Sequence, residues 1–153
     1  MKPLNLFSLI IFMFSFCCGM VNAEQKEVFD GPDGSEYEVH YIGFVSTFLD
    51  PEVAKQYQLV RSRALGIVNI SVIKVDAEGK RKAVGAVVEI KMTNNLQQPQ
   101  FLSSQQVVEG NAIYYLSQLQ YKEGELLIFD VTIYPEGRTK AMQFRFSQNF
   151  YNE

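Results

Sequence analysis

Turn signals of an acidic residue followed by glycine punctuate the chain, among them Asp33-Gly34, Glu78-Gly79, Glu109-Gly110, Glu123-Gly124 and Glu136-Gly137. Asn94-Asn95 and Pro99 fill the space between the second and third. Three of the pairs share one form: Ala77-Glu78-Gly79, Lys122-Glu123-Gly124 and Pro135-Glu136-Gly137. Two residues suited to a type I turn precede a glycine that can take positive φ, which is the chemistry of a short hairpin with a glycine bulge. Pro135 strengthens its copy, because its fixed φ suits the first turn position. The segments between the pairs are unlike one another, so this is shared punctuation and no solenoid repeat.

Between the turns lie runs rich in β-branched and aromatic residues. Tyr37 to Phe48 is the longest, and Gly66 to Val75 is nearly all Ile and Val, with Asn69 and Ser71 set into it. Ala83 to Met92 alternates, with Val84, Ala86, Val88 and Ile90 on one face. Ala112 to Tyr121, Leu126 to Tyr134 and Ala141 to Phe150 have the same habit, Phe101 to Val108 is weaker, and Glu27 to Phe29 reads as a short edge strand. One helix is predicted near 51–58: Asp50 caps it, Pro51 fits its first position and Glu52 favours its positive end. The expectation is an all-β domain, an antiparallel two-sheet sandwich of immunoglobulin-like type with seven to eight strands. A small barrel is the alternative, and the antibody-type core markers, Trp and a cystine, are missing.

Residues 1–23 read as a cleavable signal peptide. Lys2 supplies the positive start, Leu6 to Cys18 the apolar stretch, and Val21 and Ala23 the small residues before the cut. The apolar stretch is shorter than the ~20 residues that a bilayer crossing takes. Lipidation at Cys18 is the alternative, which would tether the domain to a membrane; Phe16 disfavours the same chemistry at Cys17. Cleavage after Ala23 leaves residues 24–153 as a single domain of about 130 residues, large enough to be held by its own core. It also removes both cysteines, so no disulfide, thiol nucleophile or thiolate metal site remains. The address is the periplasm, and no apolar run after the leader is long enough to span a membrane.

The formal net charge is −3, and loss of the leader removes Lys2 and no acid. That excludes a generic nucleic-acid backbone binder. Arg61-Ser62-Arg63 and Lys80-Arg81-Lys82 are the basic clusters, the second read as a solvated turn. His40 is the single histidine. A hydrolase would have to use it, yet no Gly-x-Ser-x-Gly elbow exposes a serine. One histidine and no mature cysteine exclude the usual zinc spacings, and Asp30, Asp33 and Glu36 lack the spacing of a calcium loop. No metal or cofactor is expected. Asn69 and Ser71 are a polar pair on one face of an apolar strand and need partners there. They could floor a small polar pocket with Arg61, Arg63 and Tyr114 at its rim, where arginine forks favour an anionic ligand. Of Tyr114 and Tyr115, one ring must face outward.

Several blocks carry a resemblance: Tyr37-Glu38-Val39-His40-Tyr41, Phe48-Leu49-Asp50-Pro51-Glu52-Val53-Ala54, Arg61-Ser62-Arg63, Gly66-Ile67-Val68-Asn69-Ile70-Ser71-Val72 and Glu109-Gly110-Asn111-Ala112-Ile113-Tyr114-Tyr115-Leu116. Together they resemble the small exported bacterial proteins grouped as domain of unknown function 4426. The resemblance implies a Gram-negative source and a periplasmic address, and no activity, cofactor or catalytic residue. The leading functional expectation is a non-enzymatic binding or accessory module for an envelope or secreted protein partner. A binder of a small anionic molecule near Arg61, Arg63 and Asn69 is second, and a hydrolase built on His40 third. The residues to follow are His40, Arg61, Arg63, Asn69, Ser71 and Tyr114.

Overall fold

The computed structural model describes residues 24–152. The leader and both cysteines lie outside the described residues. Ten strands follow: β1 (Gln25–Asp30), β2 (Glu36–Val45), β3 (Leu65–Val75), β4 (Arg81–Ala83), β5 (Ala86–Thr93), β6 (Pro99–Leu102), β7 (Gln105–Glu109), β8 (Ala112–Gln120), β9 (Leu126–Pro135) and β10 (Met142–Asn149). Helix α1 (Pro51–Gln56) lies between β2 and β3.

One sheet has the order β1-β2-β3-β8-β7, with β4 added beside the end of β3, and the other has β10-β9-β5-β6. All pairings are antiparallel. Read β2, β3, β5, β6, β7, β8, β9 and β10 as A, B, C, C′, D, E, F and G. The order is then A-B-E-D against G-F-C-C′, the immunoglobulin arrangement, with β1 and β4 as additions.

The all-β, two-sheet expectation holds, but the strand number of seven to eight is corrected to ten. Two sequence runs each cross from one sheet to the other. Ala83–Met92 breaks at Gly85, where a Cβ would come 2.6 Å from a Glu136 carboxylate oxygen. Phe101–Val108 breaks at Ser103-Ser104, where the Ser104 and Ser117 hydroxyls meet at 2.8 Å. Alternating hydrophobicity continues through both crossings, so periodicity alone shows one strand where there are two.

Gly34, Gly79, Gly110, Gly124 and Gly137 take positive φ, between 57° and 84°, whereas Gly31, which follows Asp30, is extended at φ −105°. Between these turns, side chains alternate between core and outside as the pleat requires. Tyr37, Val39 and Tyr41 of β2, Val68, Ile70 and Val72 of β3, and Phe129, Val131 and Ile133 of β9 fill the space between the sheets. Aromatic packing occupies the centre. Tyr41 lies 4.7 Å from Phe146 between ring centroids, and Phe146 stacks on Phe129 at 4.7 Å.

A second, smaller core sits on the outer face of the first sheet. Ala54 and Leu59 from the α1 segment cover Ile67, Leu116 and Val107. The helix is short because Gln58 turns left-handed at φ 56° and ends it two residues before the sequence pattern did. A helix this short needs its cap. The Asp50 carboxylate accepts from the Glu52 amide at 2.8 Å and from the Val53 amide at 3.4 Å. Asp50→Ala is therefore expected to lower stability by about 1 kcal/mol and Asp50→Asn by much less, read from urea unfolding midpoints.

Candidate functional site

The pleat sends His40 of β2, Asn69 and Ser71 of β3 and Tyr114 of β8 to the outer face of the first sheet, opposite the core. His40 stands across from Ser71, and Asn69 across from Ile42 on one side and Leu116 on the other. Tyr114 continues the β3–β8 register beyond the Ile70–Tyr115 pair. Four of the six residues singled out from the sequence thus share one strip, beside the edge of the α1 cap.

Arg61 and Arg63 do not join them. Both are exposed, and they precede Leu65, which itself stands at the other end of β3, roughly 20 Å from Ser71 at strand rise. The Arg61 guanidinium donates to the Thr47 carbonyl at 2.7 Å, and the Arg63 carbonyl accepts from the Tyr121 hydroxyl at 2.6 Å. The anion pocket expected from Arg61, Arg63 and Asn69 is therefore not assembled.

Both nitrogens of His40 face carboxylates: Nε2 is 3.1 Å from Glu38 Oε2, and Nδ1 is 2.9 Å from Glu24 Oε1. A serine hydrolase needs one nitrogen on a serine oxygen and the other on the orienting acid. In this geometry carboxylates hold both positions.

The sequence offers Glu38 only as an acid within reach of His40; the ion cluster built on it is what sequence reasoning missed. Glu38 is 7% exposed and is bonded by Arg81 of β4, by His40, and by Lys26 of β1 at 3.2 Å. The Arg81 hydrogen bond, with smaller help from His40 and Lys26, outweighs burial and holds its carboxyl down to about 2. Arg81 reads as part of a solvated loop in the sequence. The signal that could have found it is Glu38 itself, because a carboxylate set among Tyr, Val and His in a central strand must find a cation.

Among the described residues, two oxygens on this side of the molecule are buried without a hydrogen-bond partner, Asn69 Oδ1 and Glu109 Oε2. The other Glu109 oxygen accepts from the Tyr57 hydroxyl. Burial first, and then Glu109, push the Tyr57 phenol up to about 12. The Tyr114 phenol is also raised, by burial and then by the charges of Glu109 and Glu24. The strip is therefore acidic in character and rich in acceptors.

Among the described residues, no three His, Cys, Asp or Glu side chains gather to hold a metal. A shallow groove of about 420 Å³ lies at one pole of the sandwich, lined by Asn95, Leu96 and the 122–125 turn, and none of the four strip residues contributes to it. No helix in the described residues is long and apolar enough to cross a membrane.

The family model described as domain of unknown function DUF4426 matches residues 33–153. A crystal structure of a DUF4426 family protein from Pseudomonas aeruginosa PAO1 is 30% identical to this chain. It covers 84% of this chain and 96% of its own length, with a TM-score of 0.66. A copper-bound variant of FetP from uropathogenic Escherichia coli strain F11 is 13% identical, covering 83% of this chain and 97% of its own, with a TM-score of 0.49. FetP of the same strain as isolated, expressed in the periplasm, is 11% identical over 85% and 97%, with a TM-score of 0.45. Neither FetP likeness is close enough to transfer a site or a ligand. No curated protein matches the chain. By the family model and its 30% identical relative, the chain belongs to the DUF4426 family.

Proposed function

We propose that the domain is a non-enzymatic, periplasmic binding module, accessory to an envelope or exported protein that it meets on the open half of the first sheet's outer face. One observation carries this reading. Asn69 Oδ1 is a buried acceptor without a donor, on an outward-facing position beside Ser71 and Tyr114. A buried, unpaired acceptor costs about 1–3 kcal/mol, which a donor supplied from outside would recover. Glu109 and Glu24, whose charges reach the neighbouring Tyr114 phenol, favour a donor-rich or cationic group and disfavour an anion. The strip follows a sheet surface, a shape suited to a protein partner, and tyrosines such as Tyr114 are enriched at such contacts. The leader pattern in residues 1–23 supports the compartment, and the doubly engaged His40 supports binding over hydrolysis.

The test is photo-crosslinking in cells that export the protein, with a photoreactive phenylalanine analogue at position 114 and, as control, at position 143 on the opposite sheet. A discrete protein adduct at 114 and none at 143 is the expected result; equal adducts or none at 114 sink the reading. Asn69→Leu removes the orphan oxygen. It should leave the melting temperature unchanged or raised while weakening partner capture by about tenfold or more.

A further inference from the structure

Residues 92–108 contain no Asp, Glu, Lys, Arg or His, in a chain that is 20% charged. The fold gathers this stretch along one side of the sandwich. It includes β6, the edge of one sheet, and β7, the edge of the other, joined by the crossing at Ser103-Ser104. Each has a partner strand on one side only, β5 and β8 respectively. The other side of each is an open row of backbone donors and acceptors.

Open sheet edges are normally defended by charge, by proline or by shortness. The opposite edges follow that habit: β1 carries Lys26, Glu27 and Asp30, and β10 presents Arg145 with no exposed large apolar side chain. The β6–β7 side has Pro99 at its start and short strands, and its one charged residue, Glu109 at the end of β7, is turned onto the Tyr57 hydroxyl. Instead it exposes apolar groups: Phe101 is 77% exposed and Val108 is 61% exposed. Single exposed apolar residues are ordinary on a surface; here Phe101, across from Lys91 of β5, and Val108, across from Ile113 of β8, flank one side of the sandwich and leave it a contact waiting for an occupant.

We infer that the β6–β7 edge is the two-fold interface of a homodimer. A two-fold axis sets the same surface against itself, so any charge on it meets a like charge unless it is specifically paired. Two copies of this chain, each carrying a net charge of −3, repel over most of their surface. Along residues 92–108 they have nothing to repel with. Glutamine amides both donate and accept, so Gln100 can face a second glutamine without mismatch. Gln105 and Gln106 each spend one amide hydrogen, on the Tyr57 carbonyl and the Tyr115 hydroxyl, which leaves each a second hydrogen and its carbonyl oxygen. Because β6 and β7 are short, backbone pairing across the axis is limited to a few bonds, and Phe101 and Val108 supply the apolar contact. A strongly basic or acidic partner would find no counter-charge here.

The test uses the mature protein, purified after export, in sedimentation velocity from about 1 to about 100 μM, the range of modest protein–protein affinities. The expected result is a concentration-dependent dimer. Phe101→Glu and Val108→Lys each place like charges across the axis and should weaken it about a hundredfold. Both side chains are exposed, so melting temperatures should stay put. Lys26→Glu, on the far edge, should leave the dimer intact. A wild-type protein that stays monomeric throughout overturns the inference, as does a dimer indifferent to both edge substitutions. So does a monomer whose Phe101→Glu variant loses the adduct formed at position 114, since the edge would then serve the protein partner. The partner-binding reading stands or falls separately, on that adduct.

Discussion

Replacing Phe150 with alanine is expected to lower the free energy of unfolding by about 3–5 kcal/mol, the range for deleting a buried aromatic ring. Phe150 lies beyond the last strand, close to the C-terminus, yet it is only 2% exposed. Its ring is 5.1 Å from Tyr121 and 6.5 Å from Phe129 between centroids. Its carbonyl accepts from the Gly124 amide at 3.0 Å. Tyr121 ties the next layer, donating to the Arg63 carbonyl at 2.6 Å and approaching Asn152 Oδ1 at 2.8 Å. The tail is therefore a wedge closing the pole where β3 begins and β8 ends. Gly66 leaves room for it: a Cβ there would lie 2.8 Å from Phe150 Cε1. Gly66→Ala should then destabilise the wild type by about 1–3 kcal/mol through overpacking. In the Phe150→Ala background the same change should be nearly free, giving a coupling of about 1–2 kcal/mol in a double-mutant cycle. Urea unfolding with unchanged m-values measures all four proteins. Equal effects of Gly66→Ala in both backgrounds would mean that the tail does not pack there.

That wedge shows what a sequence can and cannot disclose in this fold. Phe150-Tyr151 at the end of the chain announces an apolar tail with somewhere to go. It does not announce Gly66, because the two residues meet only through the topology. The turn glycines were legible for the opposite reason: positive φ after an acidic residue is a property of four adjacent residues and needs no distant partner. Strand number failed where a local signal was asked a global question, since the pattern of Val84, Ala86 and Val88 is the same whether or not the chain changes sheets at Gly85. His40, Asn69, Ser71 and Tyr114 share a face because strand parity and antiparallel register preserve sidedness from strand to strand. Arg61 and Arg63 looked near to Asn69 because they precede it in sequence. A strand carries its ends apart by about 3.3 Å per residue, and that separation was readable in principle. The neutral stretch 92–108 was also visible as letters. Its meaning depends on β6 and β7 being edges, which composition does not say.

Glu38→Gln is expected to lower stability by about 2 kcal/mol at neutral pH, and the loss should vanish in acid. The carboxylate is buried, and glutamine would leave Arg81 and Lys26 without their counter-charge. Its carboxyl is held down to about 2 in the folded protein, against an ordinary value of 4.5. A depressed folded pKa stabilises the folded state above the unfolded pKa, and that contribution drains away as the pH falls through the folded one. The shift alone would allow about 3 kcal/mol. Arg81 and Lys26 are 50% and 46% exposed, so water and salt screen the pair and about 2 kcal/mol is the better expectation. The gap between wild type and Glu38→Gln should therefore be full above pH 4.5, shrink below it and close near pH 2, and it should narrow with added salt. A gap that stays constant down to pH 2 would assign Glu38 a packing role instead. The geometry also links this charge to the proposed binding face. Lys26 carries β1 onto Glu38, and His40 is held between Glu38 and Glu24, so one carboxylate fastens both the first strand and the histidine of the strip. Partner capture by Glu38→Gln should then fall even where the domain stays folded, whereas Asp50→Ala, which loosens only the helix cap, should leave capture unchanged.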